Sequence, residues 1–140
     1  MMLLDREHFE NNGYLIARSL LSASDLGKVV GAFTEVANIP TDWDSFETVT
    51  YLKNQKRQTS AYDVFQGHET LLELAAKPQI INLIRNILGV NEIDLLEKMP
   101  FRIDVPEDMS QLAVWHQDHF YVGGDPRTIT AWIPFQDVPF

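Results

Sequence analysis

Apolar residues recur at helical spacing early in the chain. Leu26, Val29, Val30, Phe33, Val36 and Ala37 fall at i, i+3, i+4, i+7, i+10 and i+11, which lays them in one stripe along a helix. Ser22 precedes the stripe as an N-cap, and Asp25 puts negative charge into the first turn. Pro40 ends the helix. Ahead of it, Asp5 caps a short helix that Leu4 and Phe9 can staple, and Gly13 suits its left-handed end. Residues 14–17, Tyr-Leu-Ile-Ala, then read as a short buried strand. Residues 68–88 read as two helices broken at Pro78. Leu71, Leu72 and Leu74 belong to the first. Ile80, Ile81, Leu83, Ile84, Ile87 and Leu88 belong to the second, which Gly89 closes. His68 stands before the first of these helices as a cap or an exposed residue rather than a metal ligand.

The pattern then changes from a helical period to alternation. Ile93, Leu95, Met99, Phe101, Ile103 and Val105 share one face of residues 93–105, with Glu97 the exception. Asp94, Lys98, Arg102 and Asp104 share the other, so a half-buried strand is expected, with a turn at 106–108. Its polar face reads as solvent-exposed; in a barrel it could instead bring Lys98 or Arg102 to an anion. Ile129, Ala131, Ile133 and Phe135 alternate with Thr128, Thr130 and Trp132 in a second strand. A Trp among threonines suggests a lined pocket. Residues 41–67 show little periodicity, and their aromatics Trp43, Phe46, Tyr51, Tyr62 and Phe65 are scattered. They read as a loop near a pocket mouth. Its basic cluster, Lys53, Lys56 and Arg57, reads as a solvated turn, with a clamp for an anionic substrate as the sharper alternative.

Composition narrows the classes. The 140 residues suit one domain, with a helical front and short strands over 1–92 and the alternating strands over 93–140. A net charge of −9 argues against a nucleic-acid partner, which needs a basic face. The absence of cysteine excludes disulfides and thiolate metal sites and fits a cytoplasmic protein. The apolar runs are too short to span a bilayer, so no membrane partner is expected. No leader pattern opens the sequence.

The candidate chemistry sits in residues 115–121, Trp-His-Gln-Asp-His-Phe-Tyr. On an extended strand, positions i and i+2 share a face, so His116 and Asp118 could meet one ion. Two histidines and a carboxylate on one face of an octahedron form the ligand set of non-haem Fe(II) oxygenases. His-x-Asp alone is a weak pattern, more often a surface hydrogen bond or a helix cap. Its aromatic neighbours raise its weight: Trp115, Phe120 and Tyr121 would wall a dry substrate pocket. Residues 123–126, Gly-Gly-Asp-Pro, then turn the chain.

Trp-His-Gln-Asp, its aromatics and turn, and then Thr130-Ala131-Trp132-Ile133-Pro134 with Asp137-Val138 resemble the phytanoyl-CoA dioxygenase family. The opening Phe-Glu-Asn-Asn-Gly-Tyr-Leu-Ile…Leu-Leu-Ser and the later Ile87-Leu88-Gly89-Val90 are similar to the same family. The resemblance implies an α+β fold, with N-terminal helices packed on a partial double-stranded β-helix (a jelly-roll, cupin-like barrel). It implies an Fe(II)- and 2-oxoglutarate-dependent dioxygenase that hydroxylates a small organic substrate. His116 and Asp118 would be metal ligands. Trp132 would lie beside 2-oxoglutarate, with Thr130 joining it from the shared face. The family's third ligand is a His well downstream, followed by an Arg for the distal carboxylate of 2-oxoglutarate. Here only His119 follows Asp118, and on a strand it would face the opposite way, as would Gln117. Arg127 is the later Arg and lies in the turn, while His8 and His68 match no family ligand. The expectation is therefore the front half of such an oxygenase. The alternative is a truncated non-catalytic paralogue that serves as a binding or assembly module. Exposed sheet edges would then be surfaces for self-association.

Overall fold

The computed structural model describes residues 6–39, 64–96, 99–102 and 114–136. Among them the helices are α1 (Arg6–Asn12), α2 (Ala23–Ala37), α3 (Glu69–Ala75), α4 (Pro78–Leu88) and α5 (His119–Val122). Each of the first four starts or stops on a residue with a local reason to be there. Ser22 accepts from the Asp25 N–H at 3.1 Å while the Asp25 carboxylate accepts from the Ser22 N–H at 3.1 Å, a reciprocal capping box at the head of α2. Asn38 ends α2 in the left-handed region at φ 51°, a conformation that Asn tolerates better than most side chains. The expected Pro40 stop lies outside the described residues. His68 N-caps α3 by accepting from the Thr70 N–H at 3.3 Å. Pro78 opens α4 at a position whose missing N–H costs nothing, and Gly89 closes it at φ 67°. Gly13, at φ 76°, follows α1 and donates its N–H to the Phe9 carbonyl at 2.8 Å. The Asp5 cap and its Leu4 staple lie outside the described residues.

The amphipathic stripes meet. α2 packs on α3, and α1 on α4. Val29, Phe33 and Ala37 of α2 are buried with Ile39, Phe65, Leu71, Leu74 and Phe101 in one apolar cluster. Leu21, Met99, Ile133 and Phe135 flank it. Its centre is aromatic. Phe33, Phe65 and Phe101 stand with ring centroids 4.9–5.2 Å apart, and Phe135 touches Phe101 at 5.7 Å. These rings join the helices to residues 133–135 and hence to the segment that carries Thr130 and Trp132. Lys77 reaches across to Asp25 at 2.6 Å and ties the α3–α4 junction to the head of α2. No helix among the described residues is long and apolar enough to cross a membrane.

The described residues do not form the expected α+β jelly-roll barrel. Among the described residues there is no strand and no sheet. Residues 14–17 are irregular, with Tyr14 and Ile16 exposed. Residues 92–96, 99–102 and 128–134 are also irregular. The physical reason is that alternation states only which side chains share a face, whereas a strand exists through ladder hydrogen bonds to a neighbour. Among the described residues none of these segments pairs with another. Of their apolar residues, Phe101 is buried in the α2–α3 cluster and Ile133 packs against it, while Leu95, Leu96 and Trp132 are exposed. The expected continuation of the first strand over 103–105 and the turn at 106–108 lie outside the described residues. So do the basic cluster Lys53, Lys56 and Arg57 and the aromatics Trp43, Phe46, Tyr51 and Tyr62. Phe65, expected near a pocket mouth, is instead fully buried at the centre of the core.

Candidate functional site

His116 and Asp118 come together, but not by strand alternation. Residues 116–117 are irregular, and Asp118 has helical dihedrals, φ −58° and ψ −32°, at the head of the single-turn helix α5. The Tyr121 N–H donates to the Asp118 carbonyl at 2.8 Å, and the Phe120 N–H to the Gln117 carbonyl at 3.2 Å. This turn folds the chain back and carries Asp118 against the ring of His116. His116 Nε2 stands 3.1 Å from Asp118 Oδ1.

The other ring nitrogen decides the tautomer. His116 Nδ1 is 2.7 Å from the Val114 carbonyl oxygen. A carbonyl only accepts, so Nδ1 carries the proton and, in the neutral ring, Nε2 presents its lone pair. That lone pair faces a carboxylate oxygen. Two lone pairs at this distance repel unless a cation or a second ring proton lies between them. A ligand separation of about 3 Å is also what two neighbouring positions of an octahedron require for metal–ligand bonds of about 2.1 Å. The two donors thus fit a divalent cation in type, tautomer and spacing. Among the described residues no third His, Asp or Glu joins them to make a three-ligand group.

The remaining oxygen of Asp118 is also held. Thr130 Oγ donates to Asp118 Oδ2 at 2.7 Å, across twelve residues of chain. The loop between them is shaped by its own contacts. Arg127 grips Asp125 with Nε at 2.9 Å and Nη2 at 2.8 Å, and its backbone N–H donates to the same carboxylate at 2.7 Å. The Arg127 hydrogen bonds hold the Asp125 carboxyl well below the usual carboxylate range. The same pairing pushes the Arg127 guanidinium up. The Thr128 hydroxyl and N–H both donate to the Asp125 carbonyl, at 2.6 and 2.8 Å. Arg127 is therefore engaged with Asp125 of its own turn.

Around the donors the walls are aromatic. Trp115, His116, Gln117, Phe120 and Tyr121 line an open pocket of about 580 Å³. Tyr121 meets the His116 ring edge-on with centroids 5.3 Å apart. Trp115, Phe120 and Tyr121 are exposed, so the surface is apolar and accessible. Gln117, expected to point away, lines this pocket because residues 116–118 are not a strand. His119, in α5, packs its ring edge-on at 6.0 Å from Phe120. Trp132 is 72% exposed and stands outside the pocket lining. The structure thus joins His116, Asp118 and Thr130 by hydrogen bonds, with the three aromatics lining the pocket beside them. The Val114 carbonyl and the Asp125–Arg127 clasp went unrecognised in the sequence. A backbone oxygen carries no sequence signal, whereas Asp-x-Arg inside a turn is a signal that could have been read.

Comparison with known proteins gives one result. The model of the phytanoyl-CoA dioxygenase (PhyH) family matches residues 9–139. No curated protein and no solved structure matches the chain. The match takes in both metal-type donors, the aromatic pocket and nearly all of the helical front, and on that breadth the chain belongs to the phytanoyl-CoA dioxygenase family.

Proposed function

We propose that this protein is an Fe(II)- and 2-oxoglutarate-dependent oxygenase that hydroxylates a small organic substrate. Family membership supports a dioxygenase-type reaction. The observation that carries the finer reading is the pairing of His116 Nε2 with Asp118 Oδ1 at 3.1 Å while Nδ1 is committed to the Val114 carbonyl. His116 and Asp118 would hold the metal. When bound, Fe(II) with 2-oxoglutarate would activate O2, the oxidant of the reaction, which protein side chains alone cannot do. The chain's own residues supply position and environment. The Val114 carbonyl keeps the imidazole proton on Nδ1, so that Nε2 stays free to ligate. Asp118 contributes the anionic donor. Trp115, Phe120 and Tyr121 offer apolar faces that take up the substrate and displace water from around the reacting carbon. Trp132, exposed and close in sequence to Thr130, is the residue proposed to flank 2-oxoglutarate.

The test is a pair of substitutions, His116→Ala and Asp118→Ala, in the purified protein. Binding of Mn(II), a redox-stable probe, and Fe(II)-dependent conversion of 2-oxoglutarate to succinate are both measured. Both variants should lose at least tenfold in Mn(II) affinity and should give no succinate above the metal-free background. Wild-type conversion in either variant would overturn the ligand assignment.

A further inference from the structure

We propose that Thr130 is a positioning residue for Asp118, its hydroxyl fixing which carboxylate oxygen faces His116. This rests on the metal-site reading above and deepens it. An aspartate carboxylate rotates over a broad, two-fold torsion, and the Asp118 side chain is 42% exposed. The hydrogen bond from Thr130 Oγ to Oδ2 at 2.7 Å locks that torsion. It is charge-assisted and therefore among the stronger hydrogen bonds. A β-branched side chain donates it, and such a side chain is stiff about its first torsion. With Oδ2 occupied, Oδ1 is the oxygen left facing His116 Nε2.

The approach of Thr130 is itself prepared. The Asp125–Arg127 clasp and the two Thr128 bonds to the Asp125 carbonyl fold the intervening turn without help from the metal donors. The turn returns the chain to Asp118 with the hydroxyl in place. The two donors are then held by the same device. His116 is oriented from behind by the Val114 carbonyl, and Asp118 from behind by the Thr130 hydroxyl. Groups placed behind metal ligands in this way commonly contribute ten- to hundredfold to metal affinity. The hydroxyl proton is committed to Asp118, so Thr130 acts through the carboxylate rather than through a bond donated to the co-substrate.

The experiment compares the wild type, Thr130→Val, Thr130→Ser and Asp118→Ala as purified proteins. Mn(II) affinity is read from the free-ion paramagnetic resonance signal, and the thermal midpoint is read without metal. Thr130→Val keeps the shape and removes the donor. It should bind Mn(II) about ten- to hundredfold more weakly, with a metal-free midpoint equal to that of the wild type. Thr130→Ser keeps the donor and should bind within a few-fold of the wild type. Wild-type affinity in Thr130→Val, beside lost affinity in Asp118→Ala, overturns this inference and leaves the metal site standing. A Thr130→Val midpoint that falls with the affinity makes the residue merely structural and overturns it too. A wild type that binds no Mn(II) removes the metal site and this inference together.

Discussion

Replacing Phe101 with alanine tests how the helices are joined to the segment that carries the site. The ring is 8% exposed and stands at 4.9 Å from Phe33, 4.9 Å from Phe65 and 5.7 Å from Phe135, centroid to centroid. Truncation leaves three ring faces with nothing against them. Removing a buried phenylalanine costs roughly 3–5 kcal/mol. The three ring pairs, at about 0.5–1.5 kcal/mol each beyond simple burial, supply a large part of that figure. Measured against a typical domain stability of about 5–15 kcal/mol, such a loss is severe. Urea unfolding followed by far-ultraviolet circular dichroism is the assay. With a denaturant slope of about 2 kcal/mol per molar, a loss of about 4 kcal/mol lowers the midpoint by about 2 M. Phe120→Ala is the control, because that ring is 78% exposed and its loss should cost no more than about 0.5 kcal/mol. The reasoning is refuted if Phe101→Ala stays within about 1 kcal/mol of the wild type, or if the two alanine variants lose equally.

Two further predictions concern the head of α2. Ser22→Ala removes one arm of the capping box and should cost about 1 kcal/mol, read as a lower urea midpoint with unchanged slope; an unchanged midpoint would show the cap to be idle. Asp25 is lowered from its ordinary 3.8 to about 2, first by the hydrogen bond from Lys77 and then by those of Ser22. A carboxyl depressed in the folded state contributes stability above its unfolded value and loses it as pH falls through its folded value. The thermal midpoint of the wild type should therefore converge on that of Asp25→Asn between about pH 4 and 2, and a gap that persists at the acid end would contradict the pairing.

The helices were legible in the sequence because a helix satisfies its backbone within a few residues. The α2 stripe, the Ser22 cap, the Pro78 break and the Gly89 stop are all local facts, and the structure has each of them. The pairing of His116 with Asp118 was legible from spacing alone, although a helical turn and not a strand brings them together. What lay beyond the sequence depends on residues far apart along it. Alternation over 93–102 and 128–135 could not say whether a neighbouring strand would be present to complete a ladder, and among the described residues none is. Phe65 looked like a stray loop aromatic until Phe33 and Phe101 closed around it. Thr130 was expected beside 2-oxoglutarate from its shared face with Trp132, and its hydrogen bond to Asp118 is a contact that spacing does not state. Periodicity and caps are properties of neighbours in sequence and are settled there. Ladder partners, ring clusters and a hydrogen bond across twelve residues depend on loop closure and on competition for burial, which only the folded chain resolves.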